Sequence, residues 1–159
     1  LLPNLIRLGG ENLNTTKKYD FKVQEIIVHP DYDPNLAYND IALIQISGRS
    51  VDYPICLWAN FDPGTESVTA TGYGHKEFAG EISNILQKIC AGDLEGIKDT
   101  CQGDSGGPIF MKKLFTPYAI GLTSFGGSCA HGIPAVYTRI SEYLDWIENI
   151  VWGSLEAFL

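Results

Sequence analysis

The chain has 159 residues, 45% of them hydrophobic and 19% charged, with a formal net charge of −8. That is enough apolar material for a folded core and excludes a disordered chain. The acidic balance argues against a nucleic-acid partner, whose phosphates need a basic surface, and no run approaches the roughly eighteen apolar residues of a membrane span.

The first residues, Leu1 to Leu8, do not read as a secretory leader. They lack a basic start, Pro3 and Asn4 break the apolar run, and no small-residue cleavage site follows. The chain begins without Met, so it reads as a mature or partial sequence. Asn14-Thr15-Thr16 is a glycosylation acceptor triplet, which makes Asn14 a candidate modification site on an extracellular surface. Lys22 to Val28 and Ile41 to Ile46 carry β-branched residues between turn signals and are predicted strands. Asp62-Pro63-Gly64 is the best boundary between two halves, about 1–61 and 62–159. Val68 to Thr71, Ile109 to Met111, Tyr118 to Thr123 and Ala135 to Thr138 continue the strand series. Seventeen glycines and eight prolines suit a chain that turns often. Near the end the period changes: Tyr143, Trp146, Ile147, Ile150 and Val151 share one helical face, with Ser141 as N-cap and Gly153 as stop. The expected class is all-β with a C-terminal helix.

The four cysteines are Cys56, Cys90, Cys101 and Cys129. None forms a CxxC pair and no histidine lies at zinc-finger spacing, so no metal site is expected. Spacing leaves two disulfides or four thiols equally open.

Chemistry concentrates in Asp99-Thr100-Cys101-Gln102-Gly103-Asp104-Ser105-Gly106-Gly107-Pro108. Glycines on both sides of Ser105 let the backbone turn sharply, leave the hydroxyl unobstructed and allow amide N–H groups to converge on an oxyanion. This stretch resembles the nucleophile loop of the chymotrypsin/trypsin family of serine proteases, and the resemblance runs almost end to end. Asn39-Asp40-Ile41-Ala42-Leu43, preceded by His29-Pro30-Asp31-Tyr32, is similar to the segment carrying the family's triad aspartate. Thr71-Gly72-Tyr73-Gly74 is similar to a Thr-Gly-Trp-Gly turn, Ser124-Phe125-Gly126 to the strand that pairs with substrate backbone, and Pro134 to Arg139 and the helix ending in Trp152 to the C-terminus.

The resemblance implies a double Greek-key β-barrel whose first barrel is incomplete, and proteolysis of a protein substrate by a secreted, zymogen-activated, cofactor-free enzyme. Ser105 would be the nucleophile, Asp40 the triad acid, and the amides of Gly103 and Ser105 the oxyanion hole. Asp99 would floor a pocket for substrate Arg or Lys, with Ser124, Gly126 and Ala135 also binding substrate. Ala135 stands where trypsin-like enzymes carry Gly, a methyl that costs on the order of 1–3 kcal/mol in a close-packed pocket. Cys101 and Cys129 would form the disulfide bracing that pocket, worth about 3–4 kcal/mol in the chain-entropy model. Cys56 would tether a pro-segment or regulatory domain, and Cys90 would pair with an upstream cysteine. Asp104 would bind the ammonium freed by activation.

Two family features are missing. No segment resembles the one carrying the triad histidine, and neither His29, His75 nor His131 fits that role. Near 88–90 the chain jumps from the Leu86-Gln87-Lys88 strand to Cys90-Ala91-Gly92, skipping a helix and a cysteine. The chain is therefore expected to be inactive as it stands, with Asp40 and Asp104 left as unpaired buried carboxylates, open edges on the first barrel and doubtful independent folding. The alternative is a noncatalytic protease homologue that acts as a binding or cofactor module.

Overall fold

The computed structural model describes residues 2–14, 19–50, 52–60, 62, 64, 67–75, 82–90, 100, 102–125 and 135–153. Among these residues, nine strands form two sheets. β1 (Leu5–Leu8), β2 (Tyr19–Val28) and β3 (Ala42–Ile46) make an antiparallel sheet in the order β1-β2-β3. The second sheet runs β4-β8-β7-β5-β6, from β4 (Cys56–Leu57), β5 (Thr69–Gly72), β6 (Gln87–Cys90), β7 (Pro108–Lys113) and β8 (Thr116–Phe125), with β9 (Val136–Arg139) also on β8. A 3-10 turn at Ile140–Tyr143 leads into α1 (Leu144–Val151). The class is thus all-β with a C-terminal helix, as the residue pattern predicts.

The strands form where β-branched and aromatic residues alternate with smaller or polar ones. In β8 the alternation is regular: Ala119, Gly121 and Thr123 are buried, while Ile120, Leu122 and Ser124 are half-buried on the other side. Across β7, Ile109 and Met111 face the same interior as Ala119 and Ala70, and Ile140 and Ile147 close it from the C-terminal segment. β8 is the centre of this sheet. Its first half lies between β7 and β4, which runs parallel to it, and its second half between β7 and β9. On the first sheet, Arg7 and Asp20 face each other directly across β1 and β2 and form a bidentate pair at 2.7 and 2.9 Å. Such an exposed pair is screened by water and weak, so it marks register more than it stabilises.

Among the described residues, two seams join the sheets. The Leu13 amide donates to the Asn84 carbonyl, the Leu86 amide to that of Glu11, and the Tyr73 hydroxyl to Gly10 at 2.8 Å. The second seam, at Asn39 and Asp40, is described with the site. β4 belongs to the second sheet, so the chain crosses over before residue 62.

The helix start differs from the expected one. Ser141 is not an N-cap: it lies inside the 3-10 turn with its hydroxyl buried and unpartnered, and Tyr143 takes the capping position without a side-chain bond. Burial of Ile140 pins the turn and carries Ser141 inward. Gly153 does close the helix, its amide donating to the Asn149 carbonyl at 3.1 Å.

Candidate active site

The loop 102–107 is tied to β8 and to the turn after β5. The Gly106 amide donates to the Thr123 carbonyl at 2.7 Å, and the Thr123 amide returns to Gly107 at 2.8 Å. Gly103 and Gly106 sit at φ +93° and +80°, left-handed values that favour glycine, and the chain between them presents Ser105 to solvent. Asp104 turns inward instead and is 5% exposed. Its Oδ1 accepts the Gly74 amide at 2.8 Å, while its own carbonyl accepts the Gly107 amide at 2.8 Å. The expected unpaired state of Asp104 is therefore corrected: the Thr71–Gly74 turn supplies a backbone donor.

Asp40 follows Asn39, which takes the left-handed φ of 54° that asparagine tolerates better than most residues. Asn39 is clamped on both ends of its amide. Its Nδ2 donates to the Asp31 carbonyl at 2.8 Å, and its Oδ1 accepts from the Tyr143 hydroxyl at 3.1 Å. Asp40 is half-buried; its carbonyl accepts the Thr138 hydroxyl at 2.9 Å and its Oδ2 a short bond from the Ser124 hydroxyl. It too has a partner, contrary to the expected unpaired carboxylate.

Ser124 reaches Asp40 because of a defect in the ladder. The β8–β9 pairing passes from Thr123↔Tyr137 to Phe125↔Val136, so Ser124 is an extra residue without an opposite number. A bulge of this kind re-aims a side chain. Thr123 thus holds the Ser105 loop while its neighbour holds Asp40, and two adjacent residues join the two chemical groups. Motif reading found Ser124 but not the bulge, and it missed Asn39, Thr123, Thr138 and Tyr143 as supporting residues. The residue type of Asn39, one that tolerates left-handed backbone, is the signal that the sequence offers for this turn.

The two described histidines are engaged elsewhere. His29 packs on Tyr143 and Trp146, with ring centroids 5.4 and 5.0 Å away, and its Nδ1 accepts the Asp31 amide. His75 lies in a bridge with Ile82, its amide donating to the Gln102 carbonyl. Ala135 is half-buried just before β9. Asn14 is exposed, its amide bonded to Asn12 Oδ1 at 2.9 Å. Cys56 is an exposed free thiol on β4. Cys90 ends β6, its backbone opposite Thr69. Asp99, Cys101, Gly126, Cys129 and His131 lie outside the described residues.

Two outcomes follow from this geometry. A double-mutant cycle of Ser124→Ala and Asp40→Asn, read by urea unfolding at neutral pH, is expected to give a coupling of roughly 1–3 kcal/mol, the range of a hydrogen bond to a charged group. Additive losses would mean that the short bond contributes nothing. Burial pushes the Tyr143 phenol above its usual value near 10, with the charges of Glu142 and Asp40 adding to the effect. Because the folded value lies above the unfolded one, its stabilising contribution is complete below pH 10 and is lost as pH climbs through the raised value. Tyrosinate absorbance of the chain minus that of Tyr143→Phe should therefore show one late-titrating phenol.

Comparison with known proteins gives the family. The family model described as Trypsin matches residues 4–89 and 87–147. The chain is 36% identical to Serine protease snk of Drosophila melanogaster over 190 aligned positions, covering 94% of this chain and 43% of that protein. It is 35% identical to Trypsin-1 of Astacus astacus, covering 86% and 70% of the two chains. With CLIP domain-containing serine protease B10 of Anopheles gambiae the identity is 40%, over 82% of this chain and 44% of the relative. The chain thus spans less than half the length of two of these three relatives. With a trypsin match over most of its residues and an all-β fold ending in a short helix, it belongs to the trypsin-like serine protease family.

Proposed function

We propose that this chain carries the nucleophile and acid of a secreted serine endopeptidase that cleaves after Arg or Lys. The observation that supports it most is the coupling of the exposed Ser105 loop and Asp40 through the adjacent residues Thr123 and Ser124. In this reading Ser105 attacks the scissile carbonyl, and the amides of Gly103 and Ser105 receive the oxyanion. Asp40 orients a histidine that takes the serine proton. Asp99 selects the basic side chain, Ser124, Gly126 and Ala135 line the substrate path, and a Cys101–Cys129 disulfide braces it. Asp104 holds the ammonium produced by zymogen activation, which requires it to exchange its bond with Gly74. Cys56, exposed on β4, tethers a pro-segment or regulatory domain.

The chain as given does not turn over substrate, because serine is a poor nucleophile without a neighbouring base. Triads of this family that lose a member retain only about 10³–10⁴ over water from the oxyanion hole and binding. The family model's two matches meet at 87–89, and the alignment with snk is 190 positions long against 159 residues here. Both support a family segment missing near 88–90, the jump between the Lys88 strand and Cys90.

A serine-directed phosphonate bearing an arginine side chain tests the assignment. The 159-residue chain is expected to remain unlabelled, whereas the product of the uninterrupted coding sequence, once activated, is labelled at Ser105 and hydrolyses arginine esters. If that product folds and stays unlabelled, the chain is instead the noncatalytic binding homologue.

A further inference from the structure

The β7–β8 hairpin ends in an apolar tip that the fold does not use. Lys113 pairs with Thr116, so the loop consists of Leu114 and Phe115. They are 91% and 97% exposed, so almost none of either side chain packs on the protein. Leu114 also sits at φ +58°, a left-handed value for which two-residue hairpin loops take Gly, Asn or Asp and which is an outlier for a bulky residue. The turn gains nothing from these two side chains and bears a conformational cost for the first.

Cations and an aromatic mark the same end of the sheet. Lys112 and Lys113 stand directly behind the tip, both exposed, and neither forms an ion pair among the described residues. Lys113 lies back along the hairpin, its Nζ 5.1 Å from the centre of the Trp58 ring. Although the net charge is −8, no Asp or Glu occurs between Asp104 and Glu142, so the charged residues of β7, β8 and β9 are all cationic. Tyr53 is completely exposed. β4 runs parallel to β8 with Cys56 opposite Tyr118, and counting three residues back from that pair leads to Tyr53 on one segment and Phe115 on the other.

A protein partner suits this tip poorly. Stable protein interfaces take about 800 Å² from each side, whereas here two side chains protrude from a collar of lysines. A fluid phase needs no matching shape. It takes an apolar tip among acyl chains, lysines at anionic headgroups and a tyrosine at the level between them.

We propose that the hairpin tip docks on an anionic phospholipid membrane, with Leu114 and Phe115 below the headgroups and Lys112 and Lys113 against them. The acidic remainder does not oppose this, since charges more than about 8 Å from the surface are screened at physiological ionic strength. β7 is six residues long, about 20 Å at the usual strand rise, so the docked chain holds the Ser105 loop clear of the surface. The inference uses none of the residues of the protease assignment and stands apart from it.

The test is co-sedimentation of the full chain with sucrose-loaded vesicles of phosphatidylserine and phosphatidylcholine in equal parts, and in parallel with vesicles of phosphatidylcholine alone. The chain is expected to bind the mixed vesicles, and to bind phosphatidylcholine alone about tenfold more weakly. Lys112→Gln should weaken binding to the mixed vesicles about fivefold, the effect of one lysine at an anionic surface. Leu114→Gly combined with Phe115→Ser should weaken it at least about thirtyfold, through the loss of two large apolar side chains. Glycine keeps the left-handed backbone at 114, so the urea midpoint of this double variant should be no lower than that of the parent. Equal binding to the two kinds of vesicle, or undiminished binding by Lys112→Gln or by the double variant, would overturn the proposal. Absence of binding to the mixed vesicles would also overturn it and leave a protein socket as the occupant of the tip. So would a chain without a cooperative urea transition, because the hairpin would then not exist in it.

Discussion

Gly72→Ala is expected to destabilise the fold by about 3–5 kcal/mol, although it adds a single methyl group at the end of β5. A Cβ there would collide with the Asp104 carboxylate, lying 2.7 Å from its Cγ and 3.2 Å from its Cβ. Asp104 cannot give way cheaply: it is 5% exposed and its Oδ1 is held by the Gly74 amide. Overpacking costs about 1–3 kcal/mol, and loss of a hydrogen bond to a buried charge about 1.5–3. Gly106→Ala is the matched comparison. It meets nothing within 4 Å and suffers only from its φ of +80°, a cost of about 1–2 kcal/mol. Urea midpoints of the two variants measure the difference. Adding Asp104→Ala to Gly72→Ala removes the obstructing atoms, so the double variant should lose less than the sum of the singles. Strict additivity would mean that the crowding is not what limits residue 72.

The second large effect lies in the core. Met111 is 1% exposed at the middle of β7, and Met111→Ala is expected to cost about 2–5 kcal/mol through lost transfer energy and a residual cavity. Against a typical domain stability of about 5–15 kcal/mol, that loss brings the transition close to working temperature. Leu114→Ala, in the β7–β8 turn at 91% exposure, should change stability by less than about 0.5 kcal/mol. Thermal unfolding of the pair separates burial from hydrophobicity as such. Equal shifts would contradict the placement of β7.

Much of this was legible before any coordinates. The strands over Lys22–Val28, Ile41–Ile46, Ile109–Met111 and Tyr118–Thr123 announce themselves through β-branched residues between turn formers, and each falls within one residue of an observed strand or inside it. The helical face from Tyr143 to Val151 follows from its period, but its first turn does not. A serine just ahead of an apolar stripe looks like a cap whether its hydroxyl points along the axis or into the core, and burial of Ile140 decided for the core. β1 and β4 are short and set by their partners rather than by their own residues. In the site, Ser105, Asp104 and Asp40 stand in motifs and are readable as such. The fastening between them is not, because a bulge is a relation between two strands and leaves no mark in one.

That bulge also separates two kinds of fitness. Deleting residue 124 would let Thr123 and Phe125 follow one another against Tyr137 and Val136, and the β8–β9 ladder would become regular. The shortened strand would be the better strand, and Asp40 would lose the hydroxyl that holds its carboxylate. The bulge thus trades a regular ladder for a single bond that fastens Asp40 to β8, a connection that neither strand could make in register.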